Sequence, residues 1–212
     1  MSSPALLSVD KLNLSRGGRE LIRELSFELR SGQLLQLVGE NGAGKTSLLR
    51  VLAGLSRYGF EGSVCSEGLP IFSGQSQYFK RMLYLGHLSG VKGLLTPREN
   101  LCWHLSGNCN TDIDAIDYAL DCVGLYGYED VPGHKLSAGQ QRRVNLARLY
   151  LVDCPIWLLD EPFTAIDRAG VETLEQLLLR HSQEGGAVLF TSHQPLVTVT
   201  CSGLVDLKGS QL

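Results

Sequence analysis

The sequence predicts an α/β fold with a mainly parallel sheet core, an N-terminal antiparallel β part and a helical subdomain. Three patterns lead there. The apolar run Leu34-Leu35-Gln36-Leu37-Val38 stops at Gly39, as a buried strand feeding a glycine-rich loop does. Two further apolar runs, Ile156–Leu159 and Ala187–Phe190, flank a helix-patterned stretch from Arg168 to His181. Strand, helix, strand at that spacing gives parallel neighbours. Near the N-terminus, Leu25, Phe27 and Leu29 alternate with polar residues, the mark of a half-buried antiparallel strand.

The elements follow in order. The first forty residues read as strands. Ser47 to Leu52 continues as a helix out of the glycine-rich loop, with Gly54 as its stop. From Pro97 to Gly124 the chain is more polar and helical. Ile116, Ala119, Leu120 and Val123 recur at helical spacing within Asp114–Val123. This part, about 90–150, is expected to be a helical insertion in one domain spanning 1–212. Gln140 to Leu151 is predicted to be helical. No internal repeat and no low-complexity linker interrupts the pattern.

Composition narrows the function classes. The chain has 212 residues, 43% of them hydrophobic, enough for a single cored domain. A net charge of -3 argues against nucleic acid as the main partner. No apolar run approaches the roughly 20 residues needed to span a bilayer. Met1-Ser2-Ser3-Pro4 lacks the basic and apolar regions of a secretory signal. A cytoplasmic protein is expected, reaching any membrane process by docking on another subunit. The six cysteines, Cys65, Cys102, Cys109, Cys122, Cys154 and Cys201, form no C-x-x-C pair and read as reduced thiols rather than metal ligands.

The chemistry lies in four strings. Gly39-Glu40-Asn41-Gly42-Ala43-Gly44-Lys45-Thr46 matches G-x-x-x-x-G-K-[ST], a loop whose backbone N–H groups cradle phosphates. Lys45 supplies charge toward the β- and γ-phosphates of a triphosphate, and the Thr46 hydroxyl is placed for Mg²⁺. The helix running on through Ser47 adds a positive N-terminal dipole. Asp160-Glu161 follows a buried strand, at the sheet edge where open α/β sheets bind ligands. Asp160 is expected to hold Mg²⁺ through water, and Glu161 to act as general base on the attacking water. With Pro162 next, a simple helix start is the competing reading. Leu136-Ser137-Ala138-Gly139-Gln140 opens a helix, so Ser137 and the N–H groups around Gly139 form an anion-binding N-terminus. Arg142 and Arg143 either lie in solvent or pair with local carboxylates. His193 follows the strand Ala187–Phe190, within reach of a γ-phosphate; His104, His134 and His181 read as structural.

Taken in order, these strings resemble the ATP-binding subunit of ABC transporters over essentially the whole chain. The resemblance implies a P-loop NTPase of the ABC cassette type with ATP and Mg²⁺. It makes Leu136–Gln140 the LSGGQ-like signature, Asp160-Glu161 the end of the Walker B strand, Thr164-Ala165-Ile166-Asp167 the D-loop and His193 the switch histidine. Two chains would pair head to tail, each signature covering the ATP on the partner's phosphate loop. A finer resemblance is to the CcmA group of cytochrome c maturation (heme exporter) ATPases. It rests on Tyr84-Leu85-Gly86-His87, Val91-Lys92, Leu136–Arg143 and Leu158–Asp167. It implies a multi-span CcmB-like membrane subunit, CcmC-like and CcmE-like heme-chaperone partners, and a peripheral place on the cytoplasmic face of the inner membrane. ATP would drive heme export or release of the heme-loaded chaperone. Two positions depart from the general pattern. His87 stands where most such ATPases have a Gln linking Mg²⁺ to the membrane subunit, and Arg16 where an aromatic residue usually stacks on adenine. The alternatives are a soluble ABC ATPase in translation or iron–sulfur assembly, and a P-loop kinase, which leaves the signature unexplained.

Overall fold

A computed structural model describes residues 5–57, 59–73, 75–105, 112–207 and 210–211. Met1–Pro4 and Cys109 lie outside that set. The elements run β1 (Ala5–Arg16), β2 (Arg19–Arg30), β3 (Leu34–Val38), α1 (Lys45–Leu52), β4 (Phe60–Ser66), β5 (Leu69–Pro70), α2 (Gln75–Lys80) and β6 (Met82–Leu85). They continue with α3 (Pro97–Leu105), α4 (Ile113–Cys122), α5 (Ala138–Ala147), β7 (Ile156–Leu159), α6 (Arg168–Gln183), β8 (Ala187–Thr191), β9 (Gly203–Asp206) and β10 (Ser210–Gln211). Short 3₁₀ turns cover Gly133–Lys135 and Arg148–Tyr150.

The chain divides into two compact units. The first comprises residues 1–84, 154–162 and 174–212; the second comprises 85–153 and 163–173.

The first unit holds two sheets. One is antiparallel, in the order β2-β1-β4-β5, and the other runs β10-β9-β3-β8-β7-β6. Leu25 and Leu29 are fully buried and Phe27 nearly so, while Glu24, Ser26 and Arg23 face water, so the alternation read from the sequence is the packing pattern of β2. In the second sheet β3 lies between β8 and β9, parallel to both, and β8 is parallel to β7. Strands covered on both faces need continuous apolar runs. Ile156–Leu159 and Ala187–Phe190 are buried at every position. One core joins Leu7, Leu12, Leu25 and Leu29 to Leu48 and Leu52 of α1 and to Leu35, Leu37 and Leu189 of the parallel sheet. Each such leucine contributes about 1.5–3 kcal/mol when removed from water.

Helix α1 begins at Lys45, two residues before the sequence pattern suggests, because the phosphate loop itself runs into the first turn. It ends in a Schellman motif. The Leu55 N–H donates to Arg50 O and the Gly54 N–H to Val51 O, with Gly54 at φ +68°. At the far end of α6, His181 stacks on buried Trp157, ring centroids 3.7 Å apart and planes within 4°. Gly186 packs against that imidazole so closely that a Cβ would fall 2.2 Å from Nε2, so only glycine fits there.

The second unit has its own core of Leu101, Ile116, Ala119, Leu120, Leu125, Leu136, Val144 and Ala147. Arg98 of α3 forms two 3.0 Å contacts with Asp117 of α4 and also pairs with Asp130, which raises its pKa further. Asp112 caps α4 by accepting from the Asp114 N–H. Helix α5 starts at Ala138 rather than Gln140 and ends at Ala147, and a 3₁₀ turn over Arg148–Tyr150 takes the place of the predicted helix to Leu151.

Candidate functional site

The first unit carries Arg16, Gly39–Ser47, Asp160, Glu161 and His193; the second carries His87, Leu136–Gln140 and Thr164–Asp167.

The phosphate loop joins β3 to α1. Gly44 is the residue before the helix, at φ +105°, and a Cβ there would come within 3.2 Å of the Leu21 Cβ. Glycine therefore meets both the left-handed backbone and the close approach. Lys45 and Thr46 occupy the first turn, where α1 presents unpaired N–H groups and the positive end of its dipole. Lys45 Nζ folds over the loop and donates to the carbonyls of Gly39 (2.7 Å) and Glu40 (3.2 Å). A cavity of about 260 Å³ beside it is lined by Arg16, Ser15, Thr46, Ser47 and Arg50. This brings Arg16 into one space with Thr46 and Ser47. A larger cavity of about 580 Å³ shares Ser15 with it and presents Glu20, Glu24 and Glu61 against the cation Arg23, a net negative lining that disfavours a triphosphate.

The acidic pair is held by β8. The register sets Leu159 opposite Phe190, so Asp160 emerges facing Thr191. Thr191 Oγ1 donates to Asp160 Oδ1 at 3.0 Å and accepts from the Glu161 N–H at 2.8 Å. Asp160 is 1% exposed. Glu161 has φ +52°, a backbone state costing on the order of 1–3 kcal/mol for a non-glycine residue. The turn points its carboxylate to His193, whose N–H donates to Glu161 Oε2 at 3.3 Å and whose Nε2 lies 3.4 Å from Oε1. The helix-start alternative for Asp160-Glu161 thus gives way to a two-strand clamp. The sequence alone gives Thr191 no role. The parallel pairing of two apolar runs of similar length is the signal that points to it.

In the second unit, Ser137 caps α5. Its hydroxyl accepts from the Gln140 N–H, and the Gln140 side chain accepts from the Ser137 N–H, a full capping box. That box moves the helix start from Gln140 to Ala138. Gly139 abuts the Ala165 carbonyl, where a Cβ would lie 3.0 Å from the oxygen. The two arginines left open by the sequence behave differently. Arg142 is 5% exposed and its Nη1 donates to the carbonyls of Gly86 (2.6 Å) and His87 (3.3 Å). Arg143 pairs with Asp167 at 2.8 Å. Asp167 also accepts the Gly170 N–H at 2.9 Å, and that bond and then Arg143 hold its carboxyl below the usual range. His87 is thus fixed through its backbone. Among the described residues no group of three or more His, Cys, Asp or Glu is arranged to hold a metal. An octahedral Mg²⁺ bound by one carboxylate, a hydroxyl and substrate phosphates needs no such group. Thr46 at the helix start and buried Asp160 supply that donor chemistry.

Comparison with known proteins gives the family and the fold. The family model described as ABC transporter matches residues 22–164. The cytochrome c biogenesis ATP-binding export protein CcmA of Pseudomonas fluorescens is 50% identical over 196 residues, 92% of each chain. The protein of that name from Saccharophagus degradans is 50% identical over 206 residues, covering 93% of this chain and 91% of its own. Among solved structures, an ATP-binding subunit of an ABC transporter superposes with a TM-score of 0.85 at 22% identity, over 96% of this chain and 86% of the other. A putative ABC transporter ATP-binding protein from Pyrococcus furiosus gives 0.79 at 24% identity, over 95% and 96%. These two likenesses concern the fold.

Proposed function

We propose that this chain, which belongs to the ABC transporter family of ATP-binding proteins, is the ATP-hydrolysing subunit of a membrane complex serving c-type cytochrome biogenesis, coupled to heme export or release of a heme-loaded chaperone. The observation that carries the catalytic part is the Thr191–Asp160–Glu161–His193 cluster on the same unit as the phosphate loop. The observation that carries the biological part is identity near 50% along most of the chain to CcmA proteins.

Residues 1–212 form one cassette, with a helical part at about 90–150. ATP is held by the backbone of Gly39–Lys45, by Lys45 against the β- and γ-phosphates, and by the N–H groups of Thr46 and Ser47. Thr46 would hold Mg²⁺ directly and Asp160 through water, with His87 contributing from the segment that faces the membrane subunit. Bound there, Mg²⁺ neutralises charge on the phosphate oxygens. Glu161 takes a proton from the water that attacks the γ-phosphorus as the bond to the bridging oxygen breaks. His193 holds the Glu161 carboxylate in register and contacts the γ-phosphate. Leu136–Gln140 closes over the ATP of a second copy in a head-to-tail homodimer. Its Ser137 and the N–H groups around Gly139 donate to the γ-phosphate. The partners are a CcmB-like multi-span subunit with CcmC-like and CcmE-like proteins, on the cytoplasmic face of the inner membrane. No described helix is long and apolar enough to cross a membrane, which suits a peripheral subunit. Copurification with a multi-span membrane subunit, in a complex that turns over ATP, tests this reading. A soluble assembly that turns over ATP with no membrane partner would contradict it.

Arg16 sets the base preference. A guanidinium plane stacks on any base, and most binding energy resides in the triphosphate that ATP and GTP share. GTP is therefore expected to compete within roughly tenfold of ATP, about 1.4 kcal/mol. Arg16→Tyr should widen that gap. A strong ATP preference in the wild type, unchanged by Arg16→Tyr in nucleotide competition, would assign base recognition to another residue.

A further inference from the structure

Between β8 and β9 the chain makes an unusual crossing. Both strands flank β3 and run parallel to it. Their link must return from one edge of the sheet to the other, a path normally built as an α-helix. Residues 192–202 cover it with no helix and no strand, and most of their side chains are exposed. A segment like this has no internal ladder for its N–H groups. Two of them are taken by one side chain, Glu175 of α6. The Val197 N–H donates to Oε1 at 2.7 Å and the Thr198 N–H to Oε2 at 2.6 Å, and Thr198 Oγ1 donates to Oε2 at 2.5 Å. Glu175 is 1% exposed, a carboxylate buried only where three donors meet it. Gln176 adds a contact from Nε2 to Thr198 Oγ1 at 3.3 Å.

His193 is the second residue of the segment. On its other side, Gln36 Nε2 donates to the Ser192 carbonyl at 3.3 Å, and the Gln194 N–H donates to Ser192 Oγ at 2.9 Å. The histidine therefore sits between an anchor on β3 and an anchor on α6. Its contacts to Glu161, at 3.3 and 3.4 Å, have little slack.

We infer that Glu175 is a positioning residue for ATP hydrolysis: by binding the backbone of Val197 and Thr198 it holds the helix-less crossover so that His193 meets Glu161. This rests on the catalytic reading above. Glu175 touches no substrate and acts through His193. Its loss leaves the phosphate loop intact, so it lowers kcat and spares KM. Misplacing a catalytic group by about 1 Å costs on the order of 10²-fold, and a loosened loop that still samples the native position costs less.

The test uses the chain assembled with its membrane subunit. Glu175→Gln turns one acceptor into a donor facing an N–H. It is expected to lower kcat about tenfold with KM for ATP within about twofold. In a His193→Ala background, measured under single-turnover conditions, the same change should cost less than about twofold. Hydrogen–deuterium exchange over residues 194–200 should accelerate in Glu175→Gln. Thr198→Val, which removes one donor from an exposed site, should give a smaller effect of the same kind and guards against a folding defect. Unchanged kcat, an equal loss in both backgrounds, or unchanged exchange would overturn the inference. A wild-type complex with no ATP turnover would overturn the proposed function instead, while exchange in the loop still decides the anchoring.

Discussion

Glu161→Gln is expected to lower ATP turnover by about 10²- to 10³-fold while Mg-ATP binding stays within about twofold of wild type. The amide keeps the size of the carboxylate and the backbone bond from the Glu161 N–H to Thr191, so the turn at φ +52° survives. What is lost is the proposed proton acceptor. The phosphate loop, Thr46 and Asp160 are untouched, so under the proposed head-to-tail pairing ATP would still close two chains on each other. The variant should accumulate as an ATP-bound dimer, visible by size-exclusion chromatography with and without nucleotide. Near-normal turnover of Glu161→Gln in the purified complex would remove Glu161 from the role of base.

Lys45→Ala is expected to abolish turnover by another route, through lost charge against the phosphates, with nucleotide binding weakened at least about tenfold, or 1.4 kcal/mol. In this structure Lys45 is held over the loop by the carbonyls of Gly39 and Glu40, so its position does not depend on a distant element. Ser137→Arg should fail differently. It removes the capping hydroxyl of α5 and places bulk where the partner's γ-phosphate is expected, yet leaves its own phosphate loop intact. If two chains pair head to tail as proposed, a mixed dimer of the two variants has one doubly damaged site and one undamaged site. Turnover above that of either variant alone is the expected result. A mixture no more active than its components would contradict a shared site in which one intact half suffices.

The candidate phosphate loop and acidic pair are legible in the sequence because their parts are local. A strand, a glycine loop and a helix start are contiguous from Leu34 to Leu52, and the acidic pair ends an apolar run. The fold class followed from the same periodicities, since two-sided burial demands continuous apolar strands. What escaped the sequence needs tertiary neighbours. Thr191 matters only because β7 and β8 align Leu159 with Phe190. Glu175 reads as one more polar residue on an amphipathic helix, and its burial appears only once residues 192–202 are seen to cross without a helix. Arg142 and Arg143 are chemically identical neighbours, and only the fold sends one to the carbonyls of Gly86 and His87 and the other to Asp167. The helix boundaries shifted where side chains decide them, as Ser137 and Gln140 do by closing a capping box.

The most direct measurement is covalent heme attachment to c-type cytochromes in the native host, after its own copy of this gene is replaced by the Glu161→Gln form. Heme staining of denatured membrane and soluble fractions reads the outcome. If ATP hydrolysis by this chain drives c-type cytochrome assembly, the stained bands disappear in the variant and persist in the wild type, although both proteins accumulate equally. Normal heme-stained cytochromes in the Glu161→Gln strain would contradict that role.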